Sequence, residues 1–578
     1  MRINTKARRH EGTKARRGRE GTPTSAGGLV PFLASRTVIG SSQTNNRDPS
    51  SLRAFVPPCL RAFFSAICLL FTVSPALAAP IHSNASGGGA WSDPETWHGE
   101  AVPGPEDTVI IATRDVVIFD RDDADRITCR KILIDPEGVL TFKRGAGRFT
   151  LTVNGSVESY GAIKINGTKS PDSHYELRLL TDPSEERGIN LLRDSALLVY
   201  GYKGFQRRRR NVRITAAAAA VSPADQRRPA WITADQDVMI DLDHTSLSDV
   251  VVQASSLDNT GAEGNERLNL IRNLLTGLAR LEISKCDTPT IRGNFFDAGD
   301  VKVDHPALSV RVCKLAEIKG NFVNGGYRVG ISVWEGDTSS SAVENVVKNC
   351  QRGIEWEGTD AMVDGNLVSE CAQGFVVHRS TGVLENVVVE KAQQAFISSH
   401  TDMQMTSCRA EQILEGGHGL HVSDISLSLL NCNFRFDQFD LNPADNQREW
   451  AHTMQYLVVR LEGHVRPGTQ VHVQTAEVSG GPPEGKADLN VRNSPAKVDR
   501  RGLTPLPASK KPLIVRSWSI PANRQKMNAP FYEIRVVAPP AVPGEPPELV
   551  ATKIVEPDES WYRLDPNRPV PTVEIAVP

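Results

Sequence analysis

The chain has 578 residues and a formal net charge of −2, with 39% hydrophobic and 6% aromatic residues. This charge balance excludes the basic surface that nucleic-acid-binding domains need. No apolar run approaches the roughly 18 residues of a membrane-spanning helix, so a stable membrane span is excluded as well. The 45 glycines and 37 prolines favour a turn-rich fold over a coiled coil or a helical bundle.

The first segment, residues 1–51, is rich in Lys and Arg and has no apolar periodicity. Such a tail cannot bury enough surface to offset the entropy lost on ordering. Two interpretations follow: a disordered basic extension, or a mis-assigned translation start. Neither contributes to the folded part of the protein.

Residues 52–79 have the pattern of a signal peptide. Arg53 and Arg61 form a positive flank, residues 62–73 are mostly apolar, and residues 76–78 read Ala-Leu-Ala. A positive flank, a short apolar core and a small-x-small cleavage site are typical of secretory signals, and this core is too short to anchor the chain. We therefore predict a secreted, periplasmic or cell-surface protein.

Residues 80–215 contain short alternating strands separated by glycines, which predicts an all-β unit. The opening contains a distinctive series of residues: Trp91, Asp93, Pro94, Thr96, Trp97, Pro103, Gly104, Asp107, Val109, Ile111, Val116, Ile118 and Asp120. This series resembles the start of the G8 domain, which occurs in secreted and cell-surface proteins, including animal hyaluronan-degrading proteins and fibrocystin. The resemblance implies a G8-like β domain but transfers no catalytic residue, and a purely structural β cap is the alternative.

Four successive arginines occupy residues 207–210. Guanidinium groups form bidentate contacts with carboxylates, so this run is consistent with binding of an anionic polysaccharide. A solvated loop is the alternative.

The segment 216–445 contains a repeat marked by asparagine. The anchors are Asn273, Asn294, Asn321, Asn345, Asn366, Asn386 and Asn433, with Cys408 in one register, and their spacings are 21, 27, 24, 21, 20, 22 and 25 residues. Periods of this length indicate a solenoid. Short runs of alternating apolar residues favour strands over helices. We predict a right-handed parallel β-helix with a stacked asparagine ladder, within an all-β protein.

Seven cysteines remain after the predicted cleavage, and four of them recur in register. Cys286 and Cys313 each lie eight residues before an anchor, and Cys350 and Cys371 each lie five after one. Equivalent positions on neighbouring rungs are close enough for a disulfide. Buried, stacked free thiols are the alternative.

One face of the predicted helix gathers chemically active side chains. Five aligned strands begin at residues 330, 353, 374, 395 and 419, each with a large apolar second residue that faces inward. Alternation then directs the neighbouring side chains outward. The predicted catalytic residues are Glu355, Glu357 and His378, and the predicted substrate-binding residues are Trp334, Glu335, Arg379, His400 and His421.

Two chemistries suit these residues. Glu355 and Glu357 could act as acid and base in glycoside hydrolysis, whereas a lyase would use a neutralising cation or arginine together with a base such as His378. Trp334 could stack on a sugar ring. The alternative is that solvent-facing strand positions are simply polar. No metal site is predicted, no cofactor is firmly implied, and Ca²⁺ is left open.

Residues 446–578 lack the asparagine repeat and contain short strands between proline-rich loops. We predict a β-sandwich-like domain, either a cap on the last rung or a glycan-binding module. The predicted function is binding of a polysaccharide or other glycan by an exported monomer, with cleavage of an acidic glycan left open. The alternative is a non-catalytic adhesin or structural protein, because a fold alone does not set chemistry.

Overall fold

A computed structural model gives the fold of the chain. The described residues are 79–182, 187–204, 210–218, 228–234, 237–255, 268–336, 340–358, 362–399, 402–423, 426–430, 432, 434, 439–442, 449–476, 491–506, 511–521, 527–528, 531–542, 544–557 and 571–578. The predicted basic extension and the predicted signal peptide up to residue 78 lie outside them. Within these ranges, no helix has both the length and the apolar character needed to cross a bilayer.

The chain forms a parallel β-solenoid with three sheets, named here sheets A, B and C. Sheet A has 15 strands among the described residues, paired in parallel. In order they are Ile81–His82, Thr108–Ile111, Lys131–Ile134, Val157–Ser159, Gly188–Leu191, Ala230–Ala234, Val250–Ser255, Arg280–Ser284, Val303–Arg311, Tyr327–Trp334, Arg352–Glu357, Gln373–His378, Gln394–Ser399, His418–Ser423 and Phe439–Asn442.

Sheet B runs alongside sheet A and is also parallel along the solenoid. Its strands are Gly88–Ala90, Val116–Phe119, Val139–Phe142, Ala162–Asn166, Ala196–Tyr200, Met239–Asp243, Leu268–Ile271, Thr290–Arg292, Glu317–Lys319, Ser341–Val343, Met362–Asp364, Gly382–Glu385, Asp402–Thr406, Ser426–Leu430 and Glu449–Tyr456.

Sheet C is the shortest of the three, with 11 strands in the described part of the chain. They are Gly147–Val153, Ser173–Thr181, Val212–Ala218, Ser246–Ser248, Leu274–Thr276, Phe295–Asp297, Phe322–Asn324, Val346–Lys348, Leu367–Ser369, Val388–Glu390 and Arg409–Glu411. Alternate residues of these strands are buried, as a two-residue period requires, and they meet in one core that extends from Trp91 to Phe434.

The solenoid begins within the segment that resembles G8. The first rungs are filled by aromatic rings: the centroids of Trp91 and Trp97 lie 5.1 Å apart, and those of Trp91 and Phe119 lie 5.5 Å apart. The boundary predicted at residue 215 falls inside the strand Val212–Ala218. That strand pairs in parallel with sheet C strands on both sides, so the rungs continue across this position without a break.

The asparagine ladder is present over five rungs. Asn273, Asn294, Asn321, Asn345 and Asn366 are buried, and each of the first four donates its backbone N–H and its side-chain amide to the amide oxygen of the next. These N···O distances are 2.9–3.1 Å. Each amide also donates to a backbone carbonyl of the preceding rung. Buried polar groups are thereby satisfied, and the parallel β-helix prediction is confirmed.

One predicted anchor was displaced by a single residue. Val387, not Asn386, continues the ladder position, because Val388 donates to Asn366 and Arg409 donates to Val387 as their counterparts do on earlier rungs. Asn386 lies in the preceding turn with φ of 51° and binds Asp364 at the surface. Cys408 does occupy the ladder position, and its thiol donates to the Leu384 carbonyl at 3.5 Å. Asn433 lies outside the described residues.

All seven cysteines of the described region are buried free thiols. Cys286 and Cys313 follow paired strands at the same offset, and so do Cys350 and Cys371. Each of these thiols donates to the carbonyl of the residue two positions earlier, at 3.3–3.4 Å. Cys286 and Cys313 are therefore stacked on neighbouring rungs, as are Cys350 and Cys371, and all four are free thiols.

The C-terminal region forms its own β unit with a separate hydrophobic core. Four antiparallel strands form one sheet, in the order Ala496–Lys497, Gln470–Thr475, Tyr532–Ala538 and Glu548–Val555, and Val458–Glu462 pairs in parallel with Thr572–Ala576. The remaining strands are Val491–Arg492, Ile514–Pro521 and Met527–Asn528. Ile514–Pro521 pairs antiparallel with Glu449–Tyr456, so the C-terminal unit covers the last described strand of sheet B.

Candidate functional site

The outer face of sheet A holds most of the predicted site. Successive strands stack in register, so outward residues form columns along the solenoid axis about 4.8 Å apart. Trp334, Glu357 and His378 form one such column on three consecutive strands, followed by Ser399. Ser332 and Glu355 belong to the neighbouring column. The structure therefore brings Trp334, Glu357 and His378 together, with Glu355 beside them on the same strand as Glu357.

Two turn residues flank this column. Glu335 and Arg379 directly follow their strands, with φ of 50° and 47°. Arg379 forms a close ion pair with Glu357, while the backbone N–H of Glu335 donates to the Glu357 carbonyl at 2.8 Å. The ring Nδ1 of His378 lies 2.5 Å from the Ser399 hydroxyl. Glu357 is thus held between an aromatic neighbour, a histidine and a guanidinium.

Glu355 has different partners. It is 8% exposed, and Arg352 donates to its carboxylate through Nη1 at 2.7 Å. Arg352 also donates through Nε to Gln373 at 2.8 Å, and Gln373 donates to Gln394 at 3.0 Å. Three rungs are therefore joined by a continuous row of hydrogen-bonded side chains. We call Arg352, Gln373 and Gln394 the polar row.

His421 lies at the C-terminal end of the face. It shares a column with Glu355 but is three strands away, with Val376 and Ile397 between them. Its Nδ1 is 2.8 Å from the Asp440 carboxylate. His418, which continues the polar row, has its Nε2 4.0 Å from the same carboxylate. His421 is therefore part of a separate His–Asp group, and His400 lies outside the described residues.

Two tryptophan–arginine stacks lie on the same outer face. The guanidinium of Arg311 is 4.8 Å from the ring centroid of Trp334, and that of Arg280 is 5.2 Å from the ring of Trp231. Both are within cation–π distance. Aromatic rings, guanidinium groups and carboxylates therefore occur at several points along sheet A from the Ala230–Ala234 strand onward.

Several of these residues were not identified from the sequence. Arg352, Gln373 and His418 directly precede the small residue that begins each aligned strand, so the alternation that starts at that residue does not include them. Extending each aligned strand by one residue towards its start would have found them. Arg280 and Arg311 lie on rungs of the asparagine repeat that precede the five aligned strands, and Ala307-Leu308 repeats the small-then-apolar pattern that would have placed Arg311 beside Trp334. Asp440 follows the end of the repeat, so no equivalent signal marks it.

The described ranges contain no group of three or more His, Cys, Asp or Glu side chains arranged to hold a metal ion. The Ca²⁺ that the sequence left open remains a prediction without identified ligands in these ranges.

Residues 277–459 match a protein-family model described as periplasmic copper-binding protein (NosD). This match covers less than half of the chain. Among curated protein sequences, none matches the chain.

Solved β-helical proteins show weak similarity. Tailspike protein 3 of bacteriophage CBA120 is 11% identical with a TM-score of 0.27, and the match covers 62% of this chain and 65% of the tailspike. The A-module of mannuronan C-5 epimerase from Azotobacter vinelandii is 9% identical with a TM-score of 0.21, over 63% of this chain and 93% of the module. Tailspike protein 2 of the same phage is 9% identical with a TM-score of 0.16, over 78% and 65%. The chain thus spans about two thirds of the tailspikes' length, and its own strand pairing, rather than these likenesses, establishes the fold. Over residues 277–459, the chain is similar to the NosD family.

Proposed function

We propose that this protein is exported and binds an acidic polysaccharide along the outer face of sheet A. The signal-peptide pattern at 52–79 supports export, as does similarity to a family described as periplasmic. The G8-like series at the start of the solenoid also fits a secreted or cell-surface glycan-interacting protein.

The observation behind this proposal is the polar row. Arg352, Gln373 and Gln394 present amide and guanidinium groups on three consecutive rungs, joined by hydrogen bonds of 2.8 and 3.0 Å. A repeating polymer offers hydroxyl and carboxylate groups at regular intervals, so a regular row of donors and acceptors suits it. Arg352 also places a guanidinium charge in the row, which attracts a uronate carboxylate.

The column formed by Trp334, Glu357 and His378 carries the side chains that could act on a bound glycan. The Trp334 ring offers an apolar surface for a sugar, and Glu357 and His378 are the nearest groups that could move protons. Glu355 is buried against Arg352, which suits it to orienting the polar row. In this proposal, Glu357 and His378 act on the substrate, and Arg379 positions Glu357.

The test is incubation of the mature protein with polygalacturonate, alginate and hyaluronan. Binding is measured by affinity electrophoresis, and cleavage by near-ultraviolet absorbance of unsaturated ends and by new reducing ends. We expect binding to at least one polymer, with Glu357→Gln and His378→Asn lowering the release of reducing ends without unsaturation at least 100-fold. Glu370→Gln is the matched control, because Glu370 pairs with Lys391 at the surface beyond sheet C.

A non-catalytic adhesin is the second candidate. It is favoured by the separate arginine partners of the two glutamates, Arg352 for Glu355 and Arg379 for Glu357. Binding of a polymer without new reducing or unsaturated ends would support the adhesin. If the protein binds none of the three polymers, both proposed functions are contradicted.

A further inference from the structure

A second cluster of ionisable side chains lies at the corner between sheets B and C, away from the outer face of sheet A. The strand Met239–Asp243 ends there, and His244 occupies the turn with φ of 57°. The Asp243 and His244 side chains are only 12% and 8% exposed. The previous rung packs tightly beneath them, because a Cβ at Gly201 would lie 2.0 Å from the His244 carbonyl oxygen.

The two buried residues form a hydrogen-bonded dyad. The distance from His244 Nδ1 to Asp243 Oδ1 is 2.5 Å. A carboxylate only accepts, so Nδ1 carries the proton and Nε2 is left as the basic nitrogen. Burial lowers the pKa of His244 and Asp243 raises it, with a net downward shift. The imidazole is therefore neutral at neutral pH and able to accept a proton.

Two cations flank the dyad. Lys203 Nζ and Arg272 Nε each lie 3.6 Å from the Asp243 carboxylate, and their side chains are 70% and 50% exposed. Arg210, the last residue of the four-arginine run, donates to the Arg272 carbonyl at 2.6 Å. The accessible edge of the cluster is therefore positive, which suits an anionic ligand.

A phenol completes the cluster. Tyr200 stands beside Asp243 on the neighbouring strand and donates to Asp241 Oδ2 at 2.9 Å. Burial, reinforced by Asp241, raises the pKa of Tyr200 to about 12. The phenol stays protonated at neutral pH, and it can donate its proton to a substrate once its O–H turns away from Asp241.

The turn itself does not need a histidine. The same left-handed position on later rungs is occupied by Arg272, Gly293, Gly320, Glu344, Gly365, Asn386 and Ser407. Glycine adopts this conformation without steric penalty. Backbone geometry therefore explains the turn but not the choice of His244, nor its pairing with a buried aspartate.

We propose that Asp243, His244, Tyr200, Lys203 and Arg272 form a second site that removes a proton from a uronic acid residue of an acidic polysaccharide. The substrate class rests on the function proposed above. Lys203 and Arg272 bind the uronate carboxylate, His244 is the base oriented by Asp243, and Tyr200 is the acid.

The reaction needs no redox partner. His244 Nε2 takes the proton from the carbon next to the carboxylate, and the C–H electron pair delocalises onto the carboxylate as an enediolate beside the two cations. The enediolate then either regains a proton at that carbon or expels the neighbouring glycosidic oxygen. In the second case a C=C bond forms, the C–O pair leaves with the oxygen, and Tyr200 protonates it.

The test follows the fate of that proton. The mature protein is incubated in D₂O with oligosaccharides of polygalacturonate, alginate and hyaluronan. Deuterium at the carbon next to the carboxylate is measured by mass spectrometry and NMR, and unsaturated ends by absorbance. Glycine suits the turn, but His244→Gly removes the imidazole that pairs with the buried Asp243, so we expect a modest loss of thermal stability, near-unchanged binding and at least 100-fold slower proton removal. Glu344→Gly, at the same turn position four rungs on, is the control and keeps the wild-type rate.

The outcomes separate the two proposals. Binding without proton removal by the wild-type protein, or full proton removal by His244→Gly, overturns this inference and leaves glycan binding intact. Loss of binding to all three oligosaccharides overturns both. Proton removal that depends on His244 but not on Glu357 or His378 assigns the chemistry to this corner.

Discussion

The first rungs of the solenoid and its middle rungs have the same strand pairing but bury their polar groups differently. Residues 268–369 use a repeated arrangement, the asparagine ladder, in which each amide donates to the amide oxygen of the next rung. Residues 81–255 use isolated carboxylates with local partners. Asp115 accepts from Ser83 and from the N–H groups of Ala85 and Gly87.

This difference separates the features that both regions of the solenoid share from the ladder, which only the middle rungs have. Alternating apolar residues and in-register pairing are common to both regions, whereas the ladder belongs to one. Buried polar groups need partners in either case. In the ladder, the hydrogen bonds of each buried amide depend on the amides of the neighbouring rungs. An isolated carboxylate depends only on the donors next to it.

The largest predicted effect comes from breaking the ladder in its middle. Asn321→Val removes the acceptor for the Asn294 N–H and amide, and the donor to Ile291 and Asn345. Each buried group left unpaired costs about 1–3 kcal/mol, so we expect a loss of roughly 4 kcal/mol in unfolding free energy, measured by urea denaturation.

Asn386 provides the control for this comparison. It is exposed and lies in a left-handed turn, so Asn386→Gly should change the unfolding free energy by less than about 1 kcal/mol. A similar loss in the two variants would refute the ladder as the special element of the middle rungs.

The second-largest predicted effect is a loss of unfolding free energy at acid pH, caused by Glu176 in the first rungs. Burial raises the pKa of Glu176, but hydrogen bonds from His174, Thr215 and Arg178 lower it more, to about 2. A depressed pKa stabilises the fold above the unfolded value of 4.5, and this contribution disappears as pH falls towards 2. We expect roughly 3 kcal/mol to be lost across that window.

Denaturation curves at several pH values check this. Glu176→Gln should reduce the loss of unfolding free energy between pH 4.5 and 2 by about that amount while lowering stability at neutral pH. If the wild type and the variant keep the same acid slope, Glu176 is not the group responsible.

The smallest effect concerns turn geometry. Glu344 has φ of 56°, a conformation that costs a non-glycine residue about 1 kcal/mol. Glu344→Gly should raise the unfolding free energy by about 0.5 kcal/mol after loss of its surface pair with Lys319. A clear loss of stability would show that the Glu344 side chain does more than occupy a turn.

The sequence predicted the solenoid and the outward column of Trp334, Glu357 and His378 because a two-residue period fixes which side chains face out. It misplaced the ladder at Asn386 because asparagine also favours left-handed turns, and the true ladder residue, Val387, lacks an amide. The Asp243–His244 dyad was missed because no repeat marks that corner. Ion pairs such as Glu357–Arg379 depend on side-chain rotamers and on contacts between rungs, which no spacing in the sequence specifies.

The most direct test of the central claim compares two arginines on different sheets. Arg352 lies on the outer face of sheet A and pairs with Glu355, and Arg409 lies on sheet C, 4.0 Å from Glu411. The affinity of each Arg→Gln variant is measured by calorimetry with the acidic polysaccharide that binds best. The account predicts at least a tenfold loss for Arg352→Gln, about 1.4 kcal/mol, and less than about a twofold loss for Arg409→Gln. Equal losses in the two variants, or no loss in Arg352→Gln, would contradict binding along sheet A.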